Sequence, residues 1–439
     1  MLPNRAMRAQ IGTLIIATSC IQIGNGFFGT FISLRVALEG FEAAAAGFVL
    51  SSYFVGFTIG ALRCGQIIAR IGHIRAYAAF AGLAVAATAT MPLLIGPLPW
   101  FILRGVVGFG LAGLFVTAES WLNAKVAPAE RGRVFAIYMV GTFMALALGQ
   151  LLIGRVEVAT EAPFGLIAVL FALALVMVST TRAEAPRRAA APTLPYAQLL
   201  RAAPIAVAGC ALSGVITGAF YALLPAWMQG EDIAQSTIGF VMLVAVLGGL
   251  AFQVPVGRFS DRFDRLTVLA VLSLGFTGTA IGLLHLPHSP AVVLPAAILL
   301  GGFMSSFYPV CVANAHDRMP ADRVLAVSGR LILTNGLGAA LGPLLGMGLM
   351  RRFDIDGVLY LMAAAAGTLA VLALGRRLTS PTPPHQERPF EILTPQAAPL
   401  AHDPFATEDG PPRPAGAAPG EPVPDDEAEH ENAPPRRHI

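Results

Sequence analysis

Residues 65–75 read GQIIARIGHIR, and residues 257–266 read GRFSDRFDRL. Each stretch follows one long apolar run and precedes another, so each is a short basic turn between two helices of membrane-spanning length. The two turns stand 192 positions apart, and that offset holds well beyond them. Gly26 and Phe28 match Gly218 and Phe220, Gly47-Phe48-Val49 matches Gly239-Phe240-Val241, and Gly56 matches Gly248. Arg70 matches Arg262, and Pro128-Ala129-Glu130-Arg131 matches Pro320-Ala321-Asp322-Arg323. One constant offset over so much chain describes two copies of one helical unit in the same orientation, the parallel repeat of alternating-access transporters.

Composition agrees. The 439 residues are 55% hydrophobic and only 13% charged, about half the charged share of a soluble domain, so the main solvent is a bilayer. The four cysteines (Cys20, Cys64, Cys210, Cys311) fall within apolar runs at no metal-binding or paired spacing and read as small buried side chains. The first apolar run, residues 9–34, carries no charge and is too long for a signal-peptide core.

Apolar runs of about 20 residues, the length a spanning helix needs, predict helices near 11–33, 45–69, 76–94, 99–121, 133–154 and 163–180. In the second half they lie near 204–228, 237–257, 266–285, 291–314, 325–349 and 357–375. The expected fold is therefore an all-α integral membrane protein of twelve transmembrane helices in two six-helix bundles. Residues 1–180 form the first bundle and 204–377 the second. Residues 181–203 form a cytoplasmic linker with a short amphipathic helix near Tyr196–Ala202. Residues 378–439, rich in proline, glycine and acid, read as a disordered cytoplasmic tail. Eighteen Lys and Arg lie on the side of the N-terminus against four (Arg35, Arg155, Arg351, Arg352) on the other, which puts both termini in the cytoplasm of a cell inner membrane.

The two turns resemble the loop signature of the major facilitator superfamily, G-x-x-x-D-R-x-G-R. Gly257, Asp261, Arg262 and Arg265 fit it, with Asp264 at the place of the second glycine; Gly65, Arg70 and Gly72 fit the first copy, where Ala69 replaces the aspartate. Ser51-Ser52-Tyr53-Phe54, and Glu119-Ser120 followed by Arg131-Gly132-Arg133, are similar to the YcaD-like branch of that superfamily. The resemblance implies a latch that holds the cytoplasmic face shut while the outer face is open. Its residues would be Gly65, Arg70, Gly72, Gly257, Asp261, Arg262 and Arg265, with Glu119 as acidic partner at the cytoplasmic end of the fourth helix. Charges at helix ends can cap or pair with a neighbouring helix; the plainer reading is that they only set topology.

Arg104, in RGVVGFG, resembles the fourth-helix signature R-x-x-x-G-x-G. A charge at such depth faces a polar cavity or a partner, so Arg104 either touches an anionic part of a solute, takes part in coupling, or snorkels to the interface. Arg63 and Arg330, nearer a boundary, read as snorkelling. The family lines its central cavity with helices 1, 4, 7 and 10, which makes Gln22, Asn25, Tyr221, Tyr308 and Asn314 candidate lining residues; each could equally bond helix to helix. Glu119 is the one acid well inside a predicted span, and at ~22 Å beyond Arg104 along the helix it is expected at the cytoplasmic end.

No nucleotide loop, metal cluster or nucleophile constellation stands out, so neither an enzyme, a cofactor, a metal site nor a nucleic-acid partner is expected. The expected partners are a small-molecule solute, the lipid bilayer and a coupling ion, with protons among the options although no midplane carboxylate demands them. The expected function is secondary transport of a small organic solute (a drug, metabolite or organic anion). The alternative is a receptor or scaffold on a carrier fold that signals through its tail.

Overall fold

The computed structural model describes residues 5–126, 128–180, 194–320 and 323–379. Among the described residues stand twelve long helices of 18 to 34 residues. The first six are α1 (Arg5–Leu38), α2 (Ala43–Ile71), α3 (His73–Thr90), α4 (Pro97–Lys125), α5 (Pro128–Gln150) and α6 (Ala162–Ser179). After the seven-residue α7 (Tyr196–Ala202) come α8 (Pro204–Gly230), α9 (Gln235–Arg262), α10 (Arg265–His285), α11 (Pro290–His316), α12 (Val324–Phe353) and α13 (Gly357–Thr379). α1 to α6 and α8 to α11 are each long and apolar enough to cross a membrane, and Ala326–Thr379, which holds most of α12 and all of α13, is an eleventh such stretch. The expected tail, residues 378–439, lies outside the described residues except for the last two of α13, and so does the linker before residue 194.

The repeat is visible in the packing. In the first half α2 lies against α4, α1 against α5 and α6, and α3 against α4 and α6. In the second, α9 lies against α11, α8 against α12 and α13, and α10 against α11 and α13, the same pairs one repeat later. Small residues permit the closest crossings, as they must where lipid removes any hydrophobic drive between helices. A Cβ on Gly56 would overlap the Gly105 carbonyl, and one on Gly301 the Ala245 carbonyl. Across the halves α1 meets α8, α2 meets α12, and α5 meets α9.

The two basic turns solve the same corner differently. Gly72 joins α2 to α3 at φ +82, in the left-handed region that glycine enters without cost, and its N–H donates to the Ile68 carbonyl at 2.9 Å. Its repeat mate Asp264 keeps an ordinary φ of −55 and caps α10, accepting from the Thr267 N–H at 2.9 Å. The missing second glycine of that copy is thus replaced by a helix N-cap.

Candidate functional site

The interface between the halves is sealed on the side away from the termini. Ser33 near the end of α1 donates to the Ala222 carbonyl of α8 at 2.6 Å. Gln235 at the start of α9 donates to the Val156 carbonyl at 2.8 Å and to that of Ile153. Gly47 of α2 lies against Met347 and Leu344 of α12, and Gly154 against Ser236. From this seal a cavity runs toward the side of the termini, reaching Ala61, Glu119, Tyr138 and Ile332. Its free space, the open mouth included, is about 1140 Å³. Its wall comes from α1, α2, α4 and α5 of the first half and α8, α11 and α12 of the second.

Three sequence candidates, Gln22, Tyr221 and Tyr308, stand in that wall. Asn25, one helical turn on from Gln22 along α1, is outside the wall but bonded to two residues in it. Asn25 Nδ2 donates to Gln22 Oε1 at 3.1 Å, and the Tyr53 hydroxyl donates to Asn25 Oδ1 at 3.1 Å. Asn314, buried on α11, is outside the wall.

Arg104 is also behind the wall rather than in it. It is 5% exposed, and its guanidinium lies 4.3 Å from the Phe28 ring centroid and 4.6 Å from that of Tyr53. Its Nε and Nη1 have no hydrogen-bond partner, so the two ring faces carry much of the compensation for its burial. The residue neither snorkels nor reaches the cavity directly; it touches the cavity through Tyr53.

Glu119 departs most from expectation. It is 3% exposed and lines the cavity, with the Tyr138 hydroxyl donating to its Oε1 at 3.5 Å. Axial rise along α4 placed it at the helix end, but the cavity extends to that end, so a late residue on the inner face meets it. The exposed turn charges lie apart from it: Arg70 and Arg262 point to the surface, and Asp261 is 39% exposed in its side chain. Gly65 is half-buried and Gly257 buried.

The second turn is nevertheless anchored. Arg265 is buried, donates from Nε to Asp317 Oδ2 at 2.5 Å and from Nη1 to Ser260 at 3.2 Å, and lies 3.9 Å from Asp261. The first half holds His73 at the equivalent position, and its Nε2 meets Ser120 Oγ at 2.9 Å. Arg330 likewise has a structural partner, donating to the Leu194 carbonyl at 3.1 Å, while Arg63 is exposed.

Sequence reasoning missed Tyr53, Phe57, Phe115, Tyr138, Ser213, Thr217 and Asn335, all in the wall. Tyr53, Phe57, Tyr138 and Asn335 stand on α2, α5 and α12, outside the four helices expected to line the cavity, whereas Phe115, Ser213 and Thr217 stand on two of those four, α4 and α8. One signal was present: Thr217 is the repeat mate of Asn25.

The sequence matches the Major Facilitator Superfamily over residues 14–234 and 230–407. It is 32% identical over 378 residues to the uncharacterized MFS-type transporter YcaD of Escherichia coli, covering 85% of this chain and 96% of that one. The YcaD of Shigella flexneri matches to the same extent. Among solved structures it is similar to the nucleoside transporter NupG (TM-score 0.68, 14% identity, 83% of this chain and 98% of that one). An inward-facing, unoccupied bacterial homolog of the human lysosomal transporter Spinster gives a TM-score of 0.65 at 14% identity over 94% and 100% of the two chains. A D-xylose–proton symporter gives 0.61 at 15% identity over 86% and 100%. Identities this low show a shared fold alone. The alternative of a receptor signalling through residues 378–439 finds no support in these relatives. Twelve long helices among the described residues, in a parallel repeat around a central cavity, and a relative at this identity over most of both chains, make this a transporter rather than an enzyme, and the chain belongs to the major facilitator superfamily, in its YcaD-like branch.

Proposed function

We propose that the chain carries a small organic solute across the bacterial inner membrane by alternating access, with both termini in the cytoplasm. The cavity between the halves, sealed at Ser33, Gln235 and Gly154 and extending toward the termini, carries this reading. With cytoplasmic termini the conformation is inward-facing. Residues 1–180 and 204–377 are then the two bodies that rock, and the solute touches Gln22, Tyr221 and Tyr308. Arg104 and Asn25 act from behind by holding Tyr53 and Gln22. The turns at Gly65, Arg70 and Gly72 and at Gly257, Asp261, Arg262 and Arg265 latch the opposite, outward-facing state, when they come to bear on the other half.

Side-specific labelling tests the cycle and the latch together. With the four native cysteines replaced by alanine, Thr217→Cys puts a thiol in the wall, to be labelled by a membrane-impermeant maleimide from either side. Alternating access expects labelling from both sides, and a lower outside share once Asp261→Asn and Arg262→Ala are added. Labelling from one side alone under all conditions removes the alternating-access reading. An unchanged outside share in the turn variant removes the latch.

A further inference from the structure

Among the described residues of the cavity wall there is one carboxylate, Glu119, and no arginine, lysine or histidine. Eight of the wall residues are aromatic, and they are not scattered. Tyr53 and Phe57 of α2 have ring centroids 6.0 Å apart, and Phe57 lies 6.2 Å from Phe115 of α4. Phe115 stands one helical turn before Glu119 on the same face. The carboxylate therefore closes the end of an aromatic band, with Tyr138 of α5 against it.

We infer that the cavity selects amphipathic organic cations. The positive charge sits against Glu119, and the apolar body lies along Phe115, Phe57 and Tyr53. Two effects act in the same direction. A carboxylate held out of water is stabilised by a cation placed against it, more strongly than at an exposed site. Aromatic faces carry negative quadrupole potential and attract cations, most of all when both are desolvated. An organic anion meets the reverse on both counts. Arg104 is turned between Phe28 and Tyr53, behind the wall, so it offers an anion no direct contact. The hydroxyl of Ser213, buried in the wall without a protein partner, supplies a neutral polar contact that either charge could use and decides nothing.

This inference rests on the cavity being the solute site. The test uses the full chain in nanodiscs and equilibrium dialysis, with empty nanodiscs as blank. Tetraphenylphosphonium and tetraphenylborate, nearly equal in shape and opposite in charge, are measured separately. The expectation is saturable binding of the phosphonium and none of the borate. Glu119→Gln should weaken phosphonium binding by about thirtyfold or more, the usual scale for losing one partner of a buried charge pair, while Glu119→Asp retains most of it. Borate binding equal to or tighter than phosphonium binding overturns the inference, and this comparison needs no variant to fold. So does a Glu119→Gln protein that melts like wild type and binds the phosphonium as tightly. Two-sided labelling at Thr217→Cys without phosphonium binding leaves the carrier reading standing and removes only this one. Phosphonium binding with one-sided labelling does the opposite.

Discussion

Arg104 shows what one residue's sequence context can and cannot say. A lone charge deep in an apolar helix needs compensation, and the sequence places it at the right depth but not against its partners. The structure supplies two ring faces, Phe28 from α1 and Tyr53 from α2, both from helices far away in the chain. A desolvated cation–π contact is worth about 2 kcal/mol, and Tyr53 is also tied by its hydroxyl to Asn25. Arg104→Ala should therefore lower the melting temperature by several degrees, at ~2–4 °C per kcal/mol for a domain of this size. It should also weaken solute binding less than Glu119→Gln does, because it acts through Tyr53. Arg104→Lys keeps the charge but loses the flat stacking surface and should fall between. The decisive contrary result is an organic anion that stabilises wild type and not Arg104→Ala, which would make Arg104 a direct contact. Glu119 stands near the end of α4, as its distance from Arg104 implies, and lines the cavity there; rise per residue gives height along the membrane, not which face of the helix meets water. In membrane helices lipid and protein core are both apolar, so periodicity does not separate the faces.

At the scale of elements the sequence was far more legible. Length and apolarity alone marked twelve spans, and the helices exceed them mainly at their ends, as α1 and α9 do. The short helix expected near Tyr196–Ala202 is present as α7. What stayed hidden is how helix ends are tied. On the side away from the termini, His288, between α10 and α11, meets Glu231 at 2.5 Å and the Leu283 carbonyl at 2.8 Å. Its ring stands edge-on to Trp227, whose Nε1 donates to Asp356 at 3.0 Å. One histidine thus links the ends of α8 and α10 to the turn before α13. Burial alone would lower the His288 pKa, but the Leu283 carbonyl and the Glu231 and Asp356 carboxylates together raise it above 6.5. A raised folded-state pKa gives stability that is complete below the unfolded value and lost as pH rises through the folded one. The melting temperature should therefore decline from pH 6 into the alkaline range. In His288→Gln that decline should be shallower, with the largest gap from wild type at the acid end. A wild-type profile that rises over that range, or a variant profile parallel to wild type, contradicts the assignment.

On the alternating-access proposal the whole molecule has two states, and the hydrogen bonds that cross the seal lie near helix ends. Ser33 to Ala222 and Gln235 to Val156 are single hydrogen bonds, each worth about 1 kcal/mol net. The two basic turns lie at the opposite helix ends, between α2 and α3 and between α9 and α10. A transporter needs its two states close in free energy, since a solute can shift the balance only by its difference in affinity for them. A covalent tie across the seal should then be more than the cycle can overcome. A Cβ built on Gly154 would stand 3.1 Å from Cβ of Ser236, somewhat inside the 3.5–4.5 Å typical of a disulfide, and the pair joins the turn after α5 to the start of α9. The double variant G154C/S236C, in a background without the native cysteines, should cross-link under mild oxidation and lose solute flux. Reductant should restore the flux, and each single variant should keep it. A cross-linked protein that still labels at Thr217→Cys from both sides would mean that this contact does not part during the cycle. The moving interface would then lie elsewhere, and the two halves would not be the rigid bodies proposed here.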